Sequence, residues 1–369
     1  MSDNVIRRVR HGTPYLINGH RDLLRLHPWS IHRVLGWALL ALALVVLPFV
    51  ASSFFINVAN FVLIASVGAL GLQVVTGIAG QLSLGHAAFL ATGSFLAAGL
   101  HLHFSLPFTL ALPVAALGGA ALGLVAGLPA LRLRGLYLGI TTLAVQSVVL
   151  TVALRYQTYL QDSRGTGADL TVPAPTLGPI VLDNAAAWYP FLIMSTIVVV
   201  AWTSNTRRSV LGRSWVALRE GEVAAEALGV PVRKAKVLAF ATSGAIGAIA
   251  GAISAYYFRS VSVENFDLVV SVEYLAMIII GGLGTVHGAV LGATFVTATP
   301  FIVGEIVLRF GLQPTLGRHL RSIELGVFAV ATVAFLLFEP RGLSGTWRRV
   351  RAYFERWPYG FIDVQRSQR

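Results

Sequence analysis

Cysteine is absent from the sequence, which excludes disulfide bonds and thiolate chemistry. Charged residues are scarce, at 12% of the 369 residues, whereas a soluble domain carries about a quarter. No G-x-x-x-x-G-K-[ST] phosphate loop occurs and the only lysines are Lys234 and Lys236, so the chain cannot hydrolyse ATP by that route. No G-x-S-x-G nucleophile motif occurs, and His101 and His103 stand without further metal ligands. An enzyme and a metal site on this chain are therefore disfavoured.

Long apolar runs dominate the sequence instead. Hydrophobic residues make up 56% of the chain, and the mean hydropathy is +0.73. The runs of about 20 residues can each cross roughly 30 Å of hydrocarbon as a helix, which satisfies the backbone internally. The short alternating strands of a barrel are absent. We expect an all-α integral membrane protein with about ten transmembrane helices, near residues 34–56, 58–76, 86–104, 107–129, 136–154, 188–204, 236–258, 269–284, 288–308 and 321–338.

The basic residues test this count and orient the chain. Cytoplasmic loops carry an excess of arginine and lysine. With both termini in the cytoplasm, ten helices place 22 of the 28 basic residues on that side. Topology therefore explains the net charge of +12 better than nucleic-acid binding does. We expect a basic cytoplasmic N-terminal segment (1–33), a transmembrane permease domain (34–338) that includes the cytoplasmic segment 205–236, and a basic cytoplasmic C-terminal tail (339–369).

The stretch GIAGQLSLGHAAFL, residues 77–90, puts three polar residues and three glycines between two apolar spans. Helix parity places it on the cytoplasmic side, yet it carries no arginine, unlike the other cytoplasmic loops. Irregular backbone at membrane depth is tolerated where protein buries it or where it lines a cavity. We expect residues 77–86 to be a helix break folded into the bundle, whose side chains either line a pathway or satisfy the exposed backbone. The residues concerned are Gly80, Gln81, Ser83, Gly85 and His86.

The cytoplasmic segment 205–236 contains the sequence SWVALREGEVAAEALG. This pattern predicts one helix that starts at Ser214 as its N-cap and ends at Gly229. Spacings of three and four residues give this helix one narrow polar face, made of Arg219, Glu222 and Glu226. The rest of its surface is apolar, so the helix packs either on its own bundle or the lipid surface, or in a groove of a partner.

Polar side chains within the predicted spans are further candidates. Glu273 lies near the start of the eighth helix and faces either the outer interface or a cavity. Thr142 and Gln146 share a helix face and either bond to a neighbouring helix or contact a substrate. A stripe of small residues in the seventh helix allows close helix packing; it consists of Gly244, Gly247, Gly251 and Ala255.

Five stretches together resemble the LivM-type permease subunits of bacterial branched-chain amino-acid ABC importers. They include GLQVVTGIAGQLSLGHAAFLATGSFLAAGL, LPALRLRGLYLGITTLAV, GRSWVALREGEVAAEALGVPVRKAKVLAF, the stretch around EYLAMIIIGGLGTVHGAVLGATF, and FEPRGLSG, and they cover most of residues 58–345. The resemblance implies an ABC-importer permease bundle with no catalysis of its own. It further implies four partners: a homologous second permease, two ATPase subunits that bind ATP and Mg²⁺, and an extracytoplasmic substrate-binding protein.

The resemblance also suggests a role for the apolar cytoplasmic helix. EVAAEALG is similar to the EAA-type coupling segment that docks on the ATPase, and the positions carried over are Glu222, Ala225 and Gly229. Two departures leave the substrate open. SRGTGADL stands where family members often have a TGG-like run, and His287 stands where they often carry tryptophan or another residue.

We therefore expect a permease subunit of an ATP-driven importer in the bacterial plasma (inner) membrane, which carries branched-chain or other hydrophobic amino acids. Its partners include the lipid bilayer and exclude nucleic acid, and it holds no cofactor itself. The same architecture importing urea, short amides or aromatic acids stays open. A self-sufficient secondary transporter or channel is the alternative from another class, and it leaves the apolar cytoplasmic helix unexplained.

Overall fold

The computed structural model describes residues 52–164, 170–177 and 180–309, together with 326, 329, 330, 332–334 and 342–345. Most of the predicted first helix, most of the predicted tenth helix and nearly all of the two basic ends lie outside these residues. The eight predicted helices from 58–76 to 288–308 each have a helical counterpart among the described residues.

Ten α-helices form in the described part of the chain, and two of them are short. Seven helical segments are long and apolar enough to cross a membrane. The helices are α1 Ser53–Leu72, α2 His86–Phe104, α3 Phe108–Gly127, α4 Leu136–Arg164, α5 Ala185–Arg208, α6 Val210–Glu220, α7 Glu222–Ala227, α8 Val232–Phe258, α9 Leu268–Gly281 and α10 Val286–Arg309. With 14 residues, α9 is about 21 Å long and too short to cross the hydrocarbon alone.

The boundary expected between the first two spans is wrong. Asn57, the residue left between predicted helices 34–56 and 58–76, lies inside α1, which begins at Ser53. The Asn57 side-chain amide donates to the Ser53 carbonyl oxygen at 2.8 Å, within the helix. A single polar residue does not interrupt a helix when its side chain bonds back to the preceding turn.

The centre of the bundle is α8, whose small-residue stripe packs as predicted. A Cβ atom on Gly251 would overlap the Leu90 carbonyl oxygen of α2, and one on Gly244 would overlap the Gly119 carbonyl oxygen of α3. Glycine therefore lets the α8 backbone touch the backbones of two neighbours.

Two small antiparallel sheets lie at the end of the bundle where α8 finishes. In one, β1 (Leu170–Thr171) pairs with β4 (Ser260–Val261); in the other, β2 (Thr176–Leu177) pairs with β3 (Ile180–Val181). The first pairing ties the long α4–α5 connection to the chain that follows α8. We call this the strand end, and the opposite end, where α8 begins after α6 and α7, the α6–α7 end.

Candidate functional site

The helix break expected near residues 77–86 is present and buried. Directly after α1 the chain continues as a wider π-helix over Gln73–Ile78. Residues 79–85 are not helical, and α2 begins at His86. We call residues 79–85 the helix break. Gln81 is 5% exposed and Ser83 is 1% exposed, whereas Gly80 is exposed and has a φ of +69°. At that φ a side chain would be strained, so glycine is suited to the position.

Neighbouring helices satisfy the backbone of the break and the start of α2. The Leu84 N–H donates to Thr142 Oγ1 at 2.9 Å, and the same hydroxyl donates to Gly139 at 2.7 Å. The Ala87 N–H donates to Ser271 Oγ at 2.9 Å, and that hydroxyl donates to Gln146 Oε1 at 2.8 Å. Hydroxyls of α4 and α9 thus bond N–H groups that the interrupted helix leaves without partners. Thr142 and Gln146 here serve bonding between helices, one of their two expected roles.

His86 joins α2 to α1 at the point where the break ends. Its Nε2 lies 2.9 Å from the Gly68 carbonyl oxygen, and its imidazole is fully buried. Because a carbonyl oxygen only accepts, this bond assigns the proton to Nε2. Its Nδ1 and the Ser83 hydroxyl have no hydrogen-bond partner among the described residues. The ring also packs edge-on against Tyr274, with 5.3 Å between ring centroids.

A second interruption lies beside the first. Between α9 and α10 the chain turns at residues 282–285, here called the glycine turn, where Gly282 and Gly284 have φ values of +114° and +78°. Gln73 Nε2 donates to the carbonyl oxygens of Gly282 at 3.1 Å and Thr285 at 2.9 Å. The side chain of Gln73 therefore joins the two irregular segments, a role that its position in an apolar run did not signal.

The single cytoplasmic helix expected from Ser214 to Gly229 is wrong in its start and its continuity. Ser209 precedes α6, and its Oγ accepts the Gly212 N–H at 3.3 Å, whereas the Ser214 hydroxyl donates to Val210 inside the helix. The helix stops at Glu220 and α7 starts at Glu222, because Gly221 has low helix propensity and an extended backbone. We call residues 209–229 the α6–α7 segment.

The predicted end of this segment is correct. Gly229 has a φ of +80°, its N–H donates to Glu226 at 2.9 Å, and the Val230 N–H donates to Ala225 at 3.0 Å. These two bonds form a Schellman motif, for which glycine is the preferred residue. The interruption at Gly221, however, puts Arg219 in α6 and Glu222 in α7, so the expected single polar face does not form.

The inner side of the α6–α7 segment packs on its own bundle. Trp215 is fully buried and its Nε1 donates to the Ala235 carbonyl oxygen at 2.9 Å; Ala225 is 1% exposed. The outer side is apolar and open, since Val223 is 74% exposed and Leu228 is 81% exposed. One face thus packs on the bundle and the other is available to a partner.

Glu222, one of the positions predicted to couple to a partner, forms two ion pairs within this chain. Its Oε1 lies 2.5 Å from Lys236 Nζ and its Oε2 lies 2.7 Å from Arg134 Nε. The Lys236 side chain is 3% exposed and also donates to the Ala130 carbonyl oxygen at 2.8 Å. These partners could not be predicted from spacing, because Arg134 lies in the α3–α4 connection and Lys236 lies in α8.

Arg219 connects the α6–α7 segment to the helix break. Its Nη1 donates to the Gly77 carbonyl oxygen at 2.7 Å. A Cβ atom on Gly80 would approach the Arg219 Cα to 2.9 Å, and one on Gly284 would overlap the guanidinium. The arginine therefore lies where the helix break and the glycine turn meet.

A cavity of about 820 Å³ opens towards the strand end of the bundle. Its wall is mainly apolar and includes Phe61, Phe266 and Phe301. Glu273 lines it and is half-buried. Two further carboxylates, Glu264 and Asp267, and no lysine or arginine are among the described lining residues.

The predicted site residues therefore do not form one site. Gly80 and Gln81 lie beside α6, whereas Glu273 lies in the cavity towards the other end. Tyr274 lies between the two regions, because it contacts His86 and also lines the cavity. Among the described residues, no three His, Asp or Glu side chains come together to hold a metal ion.

These helices define a multi-pass α-helical membrane protein whose polar centre is a pair of interrupted helices. Residues 54–309 match the family described as branched-chain amino acid transport system / permease component, and the chain belongs to that family. Its members are transport permease subunits and not catalytic enzymes.

The similar curated proteins carry names that agree with the family. The chain is 34% identical to the high-affinity branched-chain amino acid transport system permease protein LivM of Escherichia coli, over 69% of this chain and 65% of that protein. It is 32% identical to the protein of the same name from Salmonella typhimurium, over 71% and 66%. The matches thus span just under two thirds of these two relatives.

A relative named for another substrate also matches. The chain is 31% identical to the ribose import permease protein RbsC of Haemophilus influenzae, over 65% of this chain and 75% of that protein. No solved structure matches the chain.

Proposed function

We propose that this protein is the transmembrane permease subunit of an ATP-driven ABC importer for branched-chain or other hydrophobic amino acids. It pairs with a homologous second permease to form the translocation pathway in the bacterial inner membrane. Two ATPase subunits hold ATP and Mg²⁺ at the cytoplasmic side, and an extracytoplasmic binding protein delivers the substrate. Both termini lie in the cytoplasm, with about ten spans between them. The family and the names of the relatives support this function.

The observation that carries the proposal is the two-sided α6–α7 segment. A short helix pair outside the spans that exposes Val223 and Leu228 needs a partner to cover these side chains. Its other side is fixed to the bundle by Trp215 and Glu222. A partner that binds the outer side and changes shape with ATP would therefore move the bundle. A secondary transporter or channel would leave such a surface unexplained.

The cavity supports an amino acid as the substrate class. Its aromatic and aliphatic wall suits an apolar side chain, and the carboxylates of Glu264, Asp267 and Glu273 suit an ammonium group. Glu264 and Asp267 are exposed, so they meet a substrate at the mouth of the cavity.

Reconstitution tests the proposal. The chain is co-expressed with a candidate second permease, ATPase and binding protein from its own genome, purified through a tag on this chain, and placed in proteoliposomes. We expect the second permease, the two ATPase subunits and the binding protein to co-purify with this chain. We also expect labelled leucine to accumulate only when ATP and binding protein are both present. Unlabelled isoleucine and valine should compete, whereas ribose, urea and acetamide should not.

Two results would contradict the proposal in different ways. Substrate uptake by the chain alone in ATP-free vesicles would establish a secondary transporter or channel. ATP-dependent uptake that ribose or urea inhibits, and leucine does not, would keep the importer and replace the substrate.

A further inference from the structure

The hydrogen bond from Arg219 to Gly77 joins the α6–α7 segment to the turn before the helix break, two parts of the chain with different expected roles. Arg219 belongs to the segment that faces the ATPase in the proposed function, and Gly77 lies in the last turn before the helix break. The two residues are 142 positions apart in the sequence. A charged donor makes this a stronger bond than one between neutral groups.

The surroundings of Arg219 show that its position is built into the fold. Gly80 allows the α6 backbone to approach the break, because a Cβ there would lie 2.9 Å from Arg219 Cα and 3.0 Å from its Cβ. Gly284 leaves room for the guanidinium beside the glycine turn. The glycine turn is also bonded to Gln73, the first residue after α1. A displacement of Arg219 therefore reaches both interruptions at once.

The other contacts that hold the α6–α7 segment attach it to α8 and not to the helix break. Trp215 bonds to Ala235 and Glu222 pairs with Lys236, so both attach the segment to the start of α8. The bond of Arg219 is directed at the break itself. Removing it would leave the segment attached and its outer surface intact.

We propose that Arg219 is a positioning residue that transmits movement of the α6–α7 segment to the helix break through the Gly77 carbonyl oxygen. This inference rests on the proposed function, since that function supplies the ATP-driven partner. Arg219 does not bind substrate and is not required for the ATPase to dock. Its loss uncouples the break from the ATPase.

A cysteine at position 83 provides the readout. The chain has no cysteine, so Ser83→Cys gives it a single thiol at a buried position within the break, where the serine hydroxyl has no partner among the described residues. The rate at which a small methanethiosulfonate reagent labels this chain is measured in the purified complex, with and without ATP. We expect the two rates to differ by about tenfold when Arg219 is present, a typical size for coupling between sites.

Three variants of the Ser83→Cys protein isolate the role of Arg219. Arg219→Met keeps the length of the side chain without its donors; it should retain the bound ATPase and lose the ATP-dependent change in labelling. Arg219→Lys keeps a charged donor and should restore most of the change. Arg213→Met is the matched control, because Arg213 also lies on α6 and its guanidinium donates to the Arg208 carbonyl oxygen next to the segment, away from the helix break. It should behave like the parent.

Each other outcome has a definite meaning. An Arg219→Met protein that labels like the parent, or one that no longer holds the ATPase, overturns the inference; the second result would make Arg219 a partner contact. A parent that holds the ATPase and shows no ATP-dependent labelling also overturns it. A parent that holds no ATPase contradicts the proposed function itself, and the two failures are therefore distinguishable.

Discussion

Glu222 and Lys236 form an ion pair with 2.5 Å between Oε1 and Nζ, although one lies in α7 and the other in α8. The lysine side chain is 3% exposed and the glutamate side chain 15% exposed. This buried cation holds the α6–α7 segment against the bundle. Glu222, which the family resemblance assigns to docking, thus attaches the α6–α7 segment to its own chain.

Glu222→Gln should destabilise the protein strongly. It leaves the Lys236 ammonium without a counter-ion in a buried site, and breaking such a pair costs about 3–5 kcal/mol. Thermal unfolding in detergent measures the effect. Glu222→Leu combined with Lys236→Met should unfold at a higher temperature than Glu222→Gln, because no buried charge is left unpaired.

Arg134→Ala is the control: Arg134 is 68% exposed, so its loss should cost at most about 1 kcal/mol. Equal losses of unfolding temperature in Glu222→Gln and Arg134→Ala would contradict a stabilising role for the buried Glu222–Lys236 pair.

Polar substitutions on the outer side of the α6–α7 segment should release the ATPase. Val223→Ser and Leu228→Ser remove apolar area that is mostly exposed in the isolated chain, so they should leave insertion and unfolding temperature unchanged. Pull-down of the ATPase through this chain should fall by about tenfold for the pair, as expected for two buried contacts at an interface. Phe104→Ser is the matched control, since Phe104 is 73% exposed at the strand end. Undiminished ATPase capture by the double variant would exclude docking at this surface.

Thr142→Val should destabilise the helix break. The substitution keeps the shape of the side chain and removes the acceptor of the Leu84 N–H. An unpaired buried N–H costs about 1–3 kcal/mol. Thr141→Val is the neighbouring control, because the Thr141 hydroxyl bonds to Tyr137 within its own helix; its effect should stay within about 0.5 kcal/mol. Thermal unfolding in detergent separates the two variants, and indistinguishable curves would show that Thr142 does not support the break.

Gly251→Ala should loosen the packing between α8 and α2. The added methyl group would overlap the Leu90 carbonyl oxygen, a backbone atom that cannot move aside alone. Overpacking of this kind costs about 1–3 kcal/mol. Gly304→Ala provides the comparison, because none of the described residues lies within 4 Å of its Cβ position in α10 and alanine favours helix by about 1 kcal/mol. We expect a lower unfolding temperature for the first variant and no loss for the second. Equal unfolding temperatures for Gly251→Ala and Gly304→Ala would contradict the close packing at Gly251.

Hydropathy predicted the helices because each span must be long and apolar. The glycine-rich stretch without arginine marked the helix break, and Gly229 marked the end of the α6–α7 segment. Local chemistry carries these signals, so a single sequence contains them. Asn57 was misleading because its effect depends on whether its side chain bonds inside the helix.

The parts that could not be predicted depend on contacts between distant residues. Spacing alone put Arg219 and Glu222 on one face, and only the fold brings Gly77 to the first and Lys236 to the second. Gln73 lies in an apolar run, and its two bonds reach residues more than 200 positions away. Likewise, Thr142 and Gln146 shared a face as predicted, but their partners in the break and in α9 were not visible in the sequence.

The glycine contacts of α8 have a mechanical consequence. Where Gly244 and Gly251 meet α3 and α2, backbone lies against backbone, and backbone atoms have no alternative rotamers with which to absorb a small displacement. The Glu222 ion pair holds the start of this helix, and the β1–β4 pairing holds the chain just after its end. If the α6–α7 segment is displaced, α8 would therefore be expected to move as a rigid body, including its far end beside the cavity.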